Sequence, residues 1–341
     1  MKRCFIAVWL SVVLFVSSSC AQQPVYTKYQ HYFFGTFDTI ITMIGYTQTA
    51  EEFSKYAKLV EDEMIRYHEI FDQYNAYSNV NNLYQLNLNA PNGATPAEPE
   101  LIELLIQIRE WQAAYGSKTN PAMGSVLRLW HNARTAGDHI PADTALQEAS
   151  AHMNYEDVII DETACTVQFA DPLLRLDLGA VAKGYAAQKA AETVREAGLD
   201  SFILNAGGNV ICGGAPLDGR EQWTVAVEDV DGVSTRLKLG IKNLSIVTSG
   251  DYQRYYEVDG QRYHHLIDPV TLYPASYMRA VSIIHPDSGL ADFLSTAAFL
   301  LPYEESRALI ESIPEAEATW LLSDGSEYCT AGFQELMDLI K

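Results

Sequence analysis

Asp177-Leu-Gly-Ala-Val-Ala-Lys-Gly184 stands where an apolar, strand-like stretch gives way to a helix. The residues from Val181 to Ala197 keep helical spacing up to Gly198, a residue that ends helices because it adopts the left-handed cap without a Cβ penalty. A short strand, Phe202 to Leu204, follows and runs into Asn205-Ala-Gly-Gly-Asn209. Regular repetition of this strand–helix–strand step would give a doubly wound sheet. Instead, strands are expected in clusters at Tyr32 to Tyr46 (a strand or a hairpin), Val158 to Asp161, Cys165 to Phe169, Trp223 to Glu228, Leu237 to Gly240 and Ala280 to His285. Helices are expected from the capping box Thr49-Ala-Glu-Glu52 to Phe71, at Leu101 to Ala114 and at Ala291 to Leu301. Asn87 to Pro99 and His131 to Asp143 read as polar loops. The mixture predicts an α+β fold.

The N-terminus carries a different message. Lys2 and Arg3 precede an apolar run, Phe5 to Val16, and Ser17-Ser-Ser19 leads into Cys20. A run of this length is too short to span a bilayer, which takes roughly 20 residues, and the layout is that of a signal peptide. Small residues before a cysteine resemble a bacterial lipobox, so residues 1–19 are expected to be removed and Cys20 acylated; ordinary cleavage after Ala21 is the alternative. Residues 20–30 then form a tether and 31–341 the folded domain. Losing Lys2 and Arg3 takes the formal net charge from −21 to −23. With no basic run in the mature chain, nucleic acid is excluded as a partner, and binding an anionic substrate calls for local cations. Cys165, Cys212 and Cys329 are too widely spaced to decide on a disulfide.

Four segments concentrate residues with chemical potential. In Asp177–Gly184, glycines, a helix N-terminus and Lys183 suit a phosphate, although the spacing is not that of a P-loop. Gly207 and Gly208 after a strand make either a tight turn or room for a ligand. Thr248-Ser-Gly-Asp-Tyr252 and His264-His-Leu-Ile-Asp-Pro269 place hydroxyls, carboxylates and imidazoles on loops. A Ser249–His265–Asp268 triad is conceivable there but lacks a nucleophile elbow. In Asp292-Phe-Leu-Ser-Thr296 a carboxylate and a hydroxyl four residues apart share a helix face, and two hard oxygens suit Mg²⁺ or Ca²⁺. The plainer possibility is that Asp292 caps its helix.

Together the four segments resemble one family, the FAD:protein FMN transferases or ApbE-like flavin transferases, from Phe34-Gly35-Thr36 to about Leu301. The resemblance implies a T-fold-related arrangement of mixed helices and largely antiparallel sheets. It implies a Mg²⁺ site made by the Ala180 carbonyl, Asp292 and Thr296, and contacts to FAD from Phe34, Tyr74, Asn120, Pro121, Ala122, Asp177, Lys183, Gly207, Gly208 and Ile267. The chain departs from the family at three places: Phe34-Gly-Thr for Met-Gly-Thr, Asn120-Pro-Ala for Asp-Pro-Thr, and Leu272 for the glycine of Asp-Pro-x-Thr-Gly. The implied reaction is attack by a Thr or Ser hydroxyl of an acceptor on the FMN-side phosphorus of FAD, with AMP leaving. His265 is the first choice of general base and Asp251 the second, and an acidic limb near the ordinary histidine pKa of about 6.5 is expected. Acceptors would be membrane redox proteins, met by a cell-envelope lipoprotein on the periplasmic face of the inner membrane. An FAD pyrophosphatase and a non-catalytic flavin-binding lipoprotein are the alternatives.

Overall fold

The computed structural model describes residues 25–340; the signal segment and Cys20 lie outside the described residues. The segment read as a strand or a hairpin is a hairpin, β1 (Thr27–Thr36) and β2 (Thr39–Thr47). Its pairing takes in Thr27 to Gln30, which sequence reasoning placed in the tether. Helix α1 (Ala50–Phe71) starts at the predicted cap, where the Glu52 N–H donates to Thr49 Oγ1 at 3.1 Å and the Glu52 carboxylate accepts from the Gln48 N–H at 3.0 Å. The segment expected as a loop from Asn87 is instead the end of α2 (Leu83–Asn89), a 3₁₀ turn and the two-residue β3 (Thr95–Pro96).

Helix α3 (Pro99–Tyr115) is as expected, whereas α4 (Gly124–Ala136) carries His131 into a helix, and α5 (Asp143–Ser150) follows. Strands β4 (Val158–Asp161) and β5 (Thr166–Phe169) join β3 in a small sheet. No strand leads into Asp177; a single bridge between Met123 and Arg175 stands there, and Leu174, Leu176 and Leu178 are buried. Then come α6 (Ala182–Glu196), β6 (Phe202–Ala206), β7 (Asn209–Cys212), β8 (Trp223–Glu228), β9 (Thr235–Ile241), β10 (Leu244–Gly250), β11 (Tyr255–Val258), β12 (Gln261–His264) and β13 (Met278–His285). The chain closes with α7 (Ser288–Phe299), α8 (Tyr303–Glu311), β14 (Glu317–Leu322), β15 (Glu327–Cys329) and α9 (Ala331–Asp338).

The main sheet has the order β1-β2-β6-β7-β10-β13-β14-β15, every neighbour antiparallel, which is the predicted α+β class. Alternation along its strands serves two cores. Ile41, Met43 and Val247 face the helix layer of α1, α6 and α7, while Tyr46, Ile246 and Ile284 face the β8–β9 ribbon and Phe333 of α9. Every residue of α7 is buried, as an apolar helix at the centre of a domain should be. Among the described residues no helix is long and apolar enough to cross a membrane, and Cys165, Cys212 and Cys329 are free thiols.

Candidate active site

The start of α6 meets the middle of α7, and that crossing makes the floor of the site. Helix α6 has no side-chain cap of its own. The Gly184 N–H, one of the donors a first turn leaves unpaired, donates instead to Asp292 Oδ2 at 2.8 Å. Asp292 is not the cap of α7; Asp287 is, accepting from the Gly289 and Leu290 N–H groups at 2.7 and 3.1 Å. Nor does Asp292 lie open to solvent. It sits in the second turn and is 5% exposed. Asp177 likewise caps nothing: its Oδ1 accepts from the Gly179 N–H at 2.8 Å and its Oδ2 from Gln73 at 2.6 Å, which shapes the turn presenting Ala180.

Lys183 Nζ donates to Asn209 Oδ1 at 3.2 Å. Burial lowers its pKa, partly opposed by attraction to Asp292, and burial raises that of Asp292, opposed by Lys183 and the Gly184 N–H. Neither charge is comfortable without a further partner. The Asp292 carboxylate and the Thr296 hydroxyl share a face of α7, and with the Ala180 carbonyl they are hard oxygen donors on one wall, a set able to hold a small divalent cation. Among the described residues there is no cluster of three His, Cys, Asp or Glu side chains to offer a competing metal site.

Above this floor opens a cavity of about 970 Å³. Of the sequence-predicted residues it brings together Tyr74, Asn120, Asp177, Ala180, Lys183, Gly207, Gly208, His265, Ile267, Asp292 and Thr296. Four it does not. Phe34 is 71% exposed and turned away, and Ala122 is fully buried. Pro121 lines a separate small pocket, and Asp251 is absent from the cavity wall and engaged by Arg279 at 3.0 Å. The Asn120 side chain is already spent, donating to Met153 O and accepting from the Ala122 N–H, so it shapes the wall more than it offers a ligand contact.

Gly207 and Gly208, at φ 58° and 97°, form the two-residue turn between β6 and β7. His264 and His265 separate cleanly. His264 is structural, with Nε2 on Ala275 O at 2.8 Å and Nδ1 accepting from the Leu266 N–H. His265 faces the cavity, its Nδ1 buried without a partner, and burial, with Arg254, His264, Arg134 and Lys183 adding repulsion, pushes its pKa down to about 3. The value of about 6.5 holds only for an unperturbed imidazole, and this one is perturbed downward, so the ring is neutral in the physiological range.

Sequence reasoning missed Lys118, His131, Arg134 and Arg254, all on the wall. His131 stacks on Tyr74 with ring centroids 5.0 Å apart. Lys118 bridges to the buried Asp268 at 3.0 Å and so ties the His265 loop to the α3–α4 connection. With Lys183, the charges of Lys118, Arg134 and Arg254 oppose the negative balance of the whole chain at one place. No pattern in the sequence signals this, since the cations come from distant segments.

Fold and site together define a protein with an antiparallel α+β core and a large cavity on whose wall several basic side chains meet. The chain belongs to the ApbE family, whose model matches residues 37–320. It is 35% identical to a Treponema pallidum (strain Nichols) FAD:protein FMN transferase over 262 residues, 72% of each chain. It is 33% identical over 208 residues to one from Klebsiella pneumoniae (strain 342), covering 60% of this chain and 63% of that one. Among solved structures, the ApbE protein of Thermotoga maritima superposes with a TM-score of 0.81 at 27% identity, over 91% of this chain and 99% of that one. Membership makes the protein an enzyme of the transferase class.

Proposed function

We propose that this protein moves FMN from FAD to a Thr or Ser hydroxyl of an acceptor protein, forming a phosphoester and releasing AMP, with Mg²⁺ as cofactor. The observation that carries the reading is the convergence on one cavity of Asp177, Ala180, Lys183, Asp292 and Thr296, to which the family resemblance gives substrate and metal roles, with His265, the first choice of general base. The names of the relatives support the substrate pair. The donor set fits Mg²⁺: one carboxylate, one hydroxyl and one carbonyl, all oxygen. When bound there, Mg²⁺ supplies polarisation of the pyrophosphate and neutralises charge on the leaving AMP.

The chain's own residues do the rest. Lys183, short of a charged partner other than Asp292, is placed to pair with a phosphate oxygen, and Arg134 and Arg254 add positive potential along the wall. His265 lines the cavity with its Nδ1 buried and without a partner, which leaves that atom free to meet the attacking hydroxyl's proton. Asp251, held by Arg279 away from the cavity, is the poorer candidate. We extend the proposal to location: acylation at Cys20 would hold the enzyme on the periplasmic face of the inner membrane, where membrane redox proteins would be its acceptors.

The test is to mix purified protein with FAD, Mg²⁺ and a candidate acceptor domain. An FMN-sized mass increase on the acceptor, abolished by EDTA and restored by Mg²⁺, is expected. AMP release without that increase would mark an FAD pyrophosphatase instead.

A further inference from the structure

Two hairpin tips meet at the mouth of the cavity, and they contrast. β2 and β6 are neighbours in the main sheet, so the turn joining β1 to β2 lies beside the turn joining β6 to β7. The approach is close: a Cβ added to Gly207 would fall 2.2 Å from Thr39 Oγ1. Both turns have two central residues at positive φ. Gly207 and Gly208 take that conformation freely. The other turn puts Phe37 at φ 51° and Asp38 at φ 53°, a left-handed pair that glycine and asparagine favour and a bulky aromatic does not.

The strained tip is held from two sides. The Phe37 N–H donates to His68 Nδ1 at 3.3 Å, and the Phe37 ring meets the His68 ring edge-on with centroids 5.4 Å apart. Arg254 donates to the Phe37 carbonyl at 3.4 Å and lies 3.8 Å from the Asp38 carboxylate. Phe37, Asp38, His68 and Arg254 all line the cavity. Phe34, three residues earlier, is turned outward. A turn that could relax with Asn-Gly but keeps a half-buried aromatic residue, packed on the edge of the main core, lining the cavity and clamped by two other elements, has the pattern of strain retained at a binding site.

We propose that Phe37 is a ligand-contacting residue whose ring packs against a planar heteroaromatic ring of the substrate, and that His68 and Arg254 are positioning residues that hold the tip for it. The inference deepens the FAD reading and rests on it. Flavin and adenine share the required chemistry, so FMN and ADP serve as separate probes.

The experiment measures binding of FAD, FMN and ADP, and thermal unfolding, for the wild type, for Phe37→Tyr and for the double variant Phe37→Asn with Asp38→Gly. The double variant installs the pair this turn prefers but gives up the ring's packing on the edge of the main core and on His68, so relief of strain and loss of packing offset and its thermal midpoint should stay near that of the wild type. Its FAD affinity should nevertheless fall tenfold or more, while Phe37→Tyr, which keeps a ring, stays within about threefold. The loss should reappear with FMN or with ADP, and whichever carries it names the ring. Equal FAD binding by wild type and double variant would overturn the inference while leaving the FAD reading intact. So would a midpoint that falls along with affinity, equal losses by both substitutions, or a loss shared by both mononucleotides or seen with neither. A wild type that binds no FAD would overturn the functional reading and this inference with it.

Discussion

Asp292 could be recognised in the sequence as a possible ligand but not as a buried one, and its surroundings change what a substitution tests. Replacing it by Ala would orphan the Gly184 N–H, at a cost of about 1–3 kcal/mol, and blur catalytic loss with loss of fold. Asp292→Asn keeps an acceptor for that N–H and removes the charge. We expect it to fold with a thermal midpoint near wild type while Mg²⁺-dependent transfer drops below detection; normal turnover would remove Asp292 from the metal site. For His265 the depressed pKa sets the direction of two effects. In the folded chain the ring stays neutral down to about pH 3, whereas in the unfolded chain it takes up a proton below about pH 6.5. Stability should therefore be full above pH 6.5 and decline as pH falls through the window toward 3, and His265→Asn should flatten that decline in thermal scans. As general base the ring needs no deprotonation at neutral pH, so the transfer rate of the wild type should show no acidic limb near 6.5. His265→Asn should slow transfer by roughly a hundred to ten thousand fold. A slope centred near pH 6.5, or an unslowed His265→Asn enzyme, would assign proton removal elsewhere.

At the level of elements, the helix crossing depends on one glycine. A Cβ at Gly184 would lie 2.4 Å from the Ser288 carbonyl oxygen and 2.5 Å from Asp292 Cβ, positions fixed by α7, which is buried along its whole length. Gly184→Ala should cost about 1–3 kcal/mol by overpacking and weaken metal binding as the helices part, measured by thermal unfolding and by the Mg²⁺ concentration for half-maximal rate. An unchanged midpoint would mean the crossing adjusts freely. The sequence made this helix pair legible because glycine, lysine and the Asp-x-x-x-Thr spacing are local signals. It made α1 and the main-sheet strands legible through caps and periodicity. Helix α4 was missed because Pro121 and the polar residues after His131 resemble a loop, yet Trp130, buried against Leu272 and donating to its carbonyl, makes α4 part of the wall. Asn87 also misled: an asparagine that reads as loop-forming is here nearly fully buried, bonded both ways to the Leu176 backbone. Such long-range backbone satisfaction leaves no periodic trace.

For the whole molecule the proposed membrane location turns on what could attach the chain there. The described residues contain no helix able to span a bilayer, and a formal charge of −21 disfavours adsorption to anionic headgroups. Attachment would then fall to Cys20, in the form of acyl chains that each contribute about 0.8 kcal/mol per buried methylene. The reach is limited: the seven residues from Cys20 to the start of β1 at Thr27 span at most about 25 Å when extended, so the domain would stay beside the membrane with the β1–β2 hairpin nearest its anchor. If Cys20 is the anchor, Cys20→Ser should move the protein into the soluble fraction and abolish labelling by a fatty acid, at low as well as high salt. Its rate toward a soluble acceptor domain should equal that of the acylated enzyme, since the cavity lies in the folded part, while its rate toward an acceptor embedded in vesicles should fall. If the wild type already partitions as a soluble protein, or the Cys20→Ser chain stays with the membrane, the anchor is not Cys20, and export with cleavage after Ala21 becomes the reading to pursue.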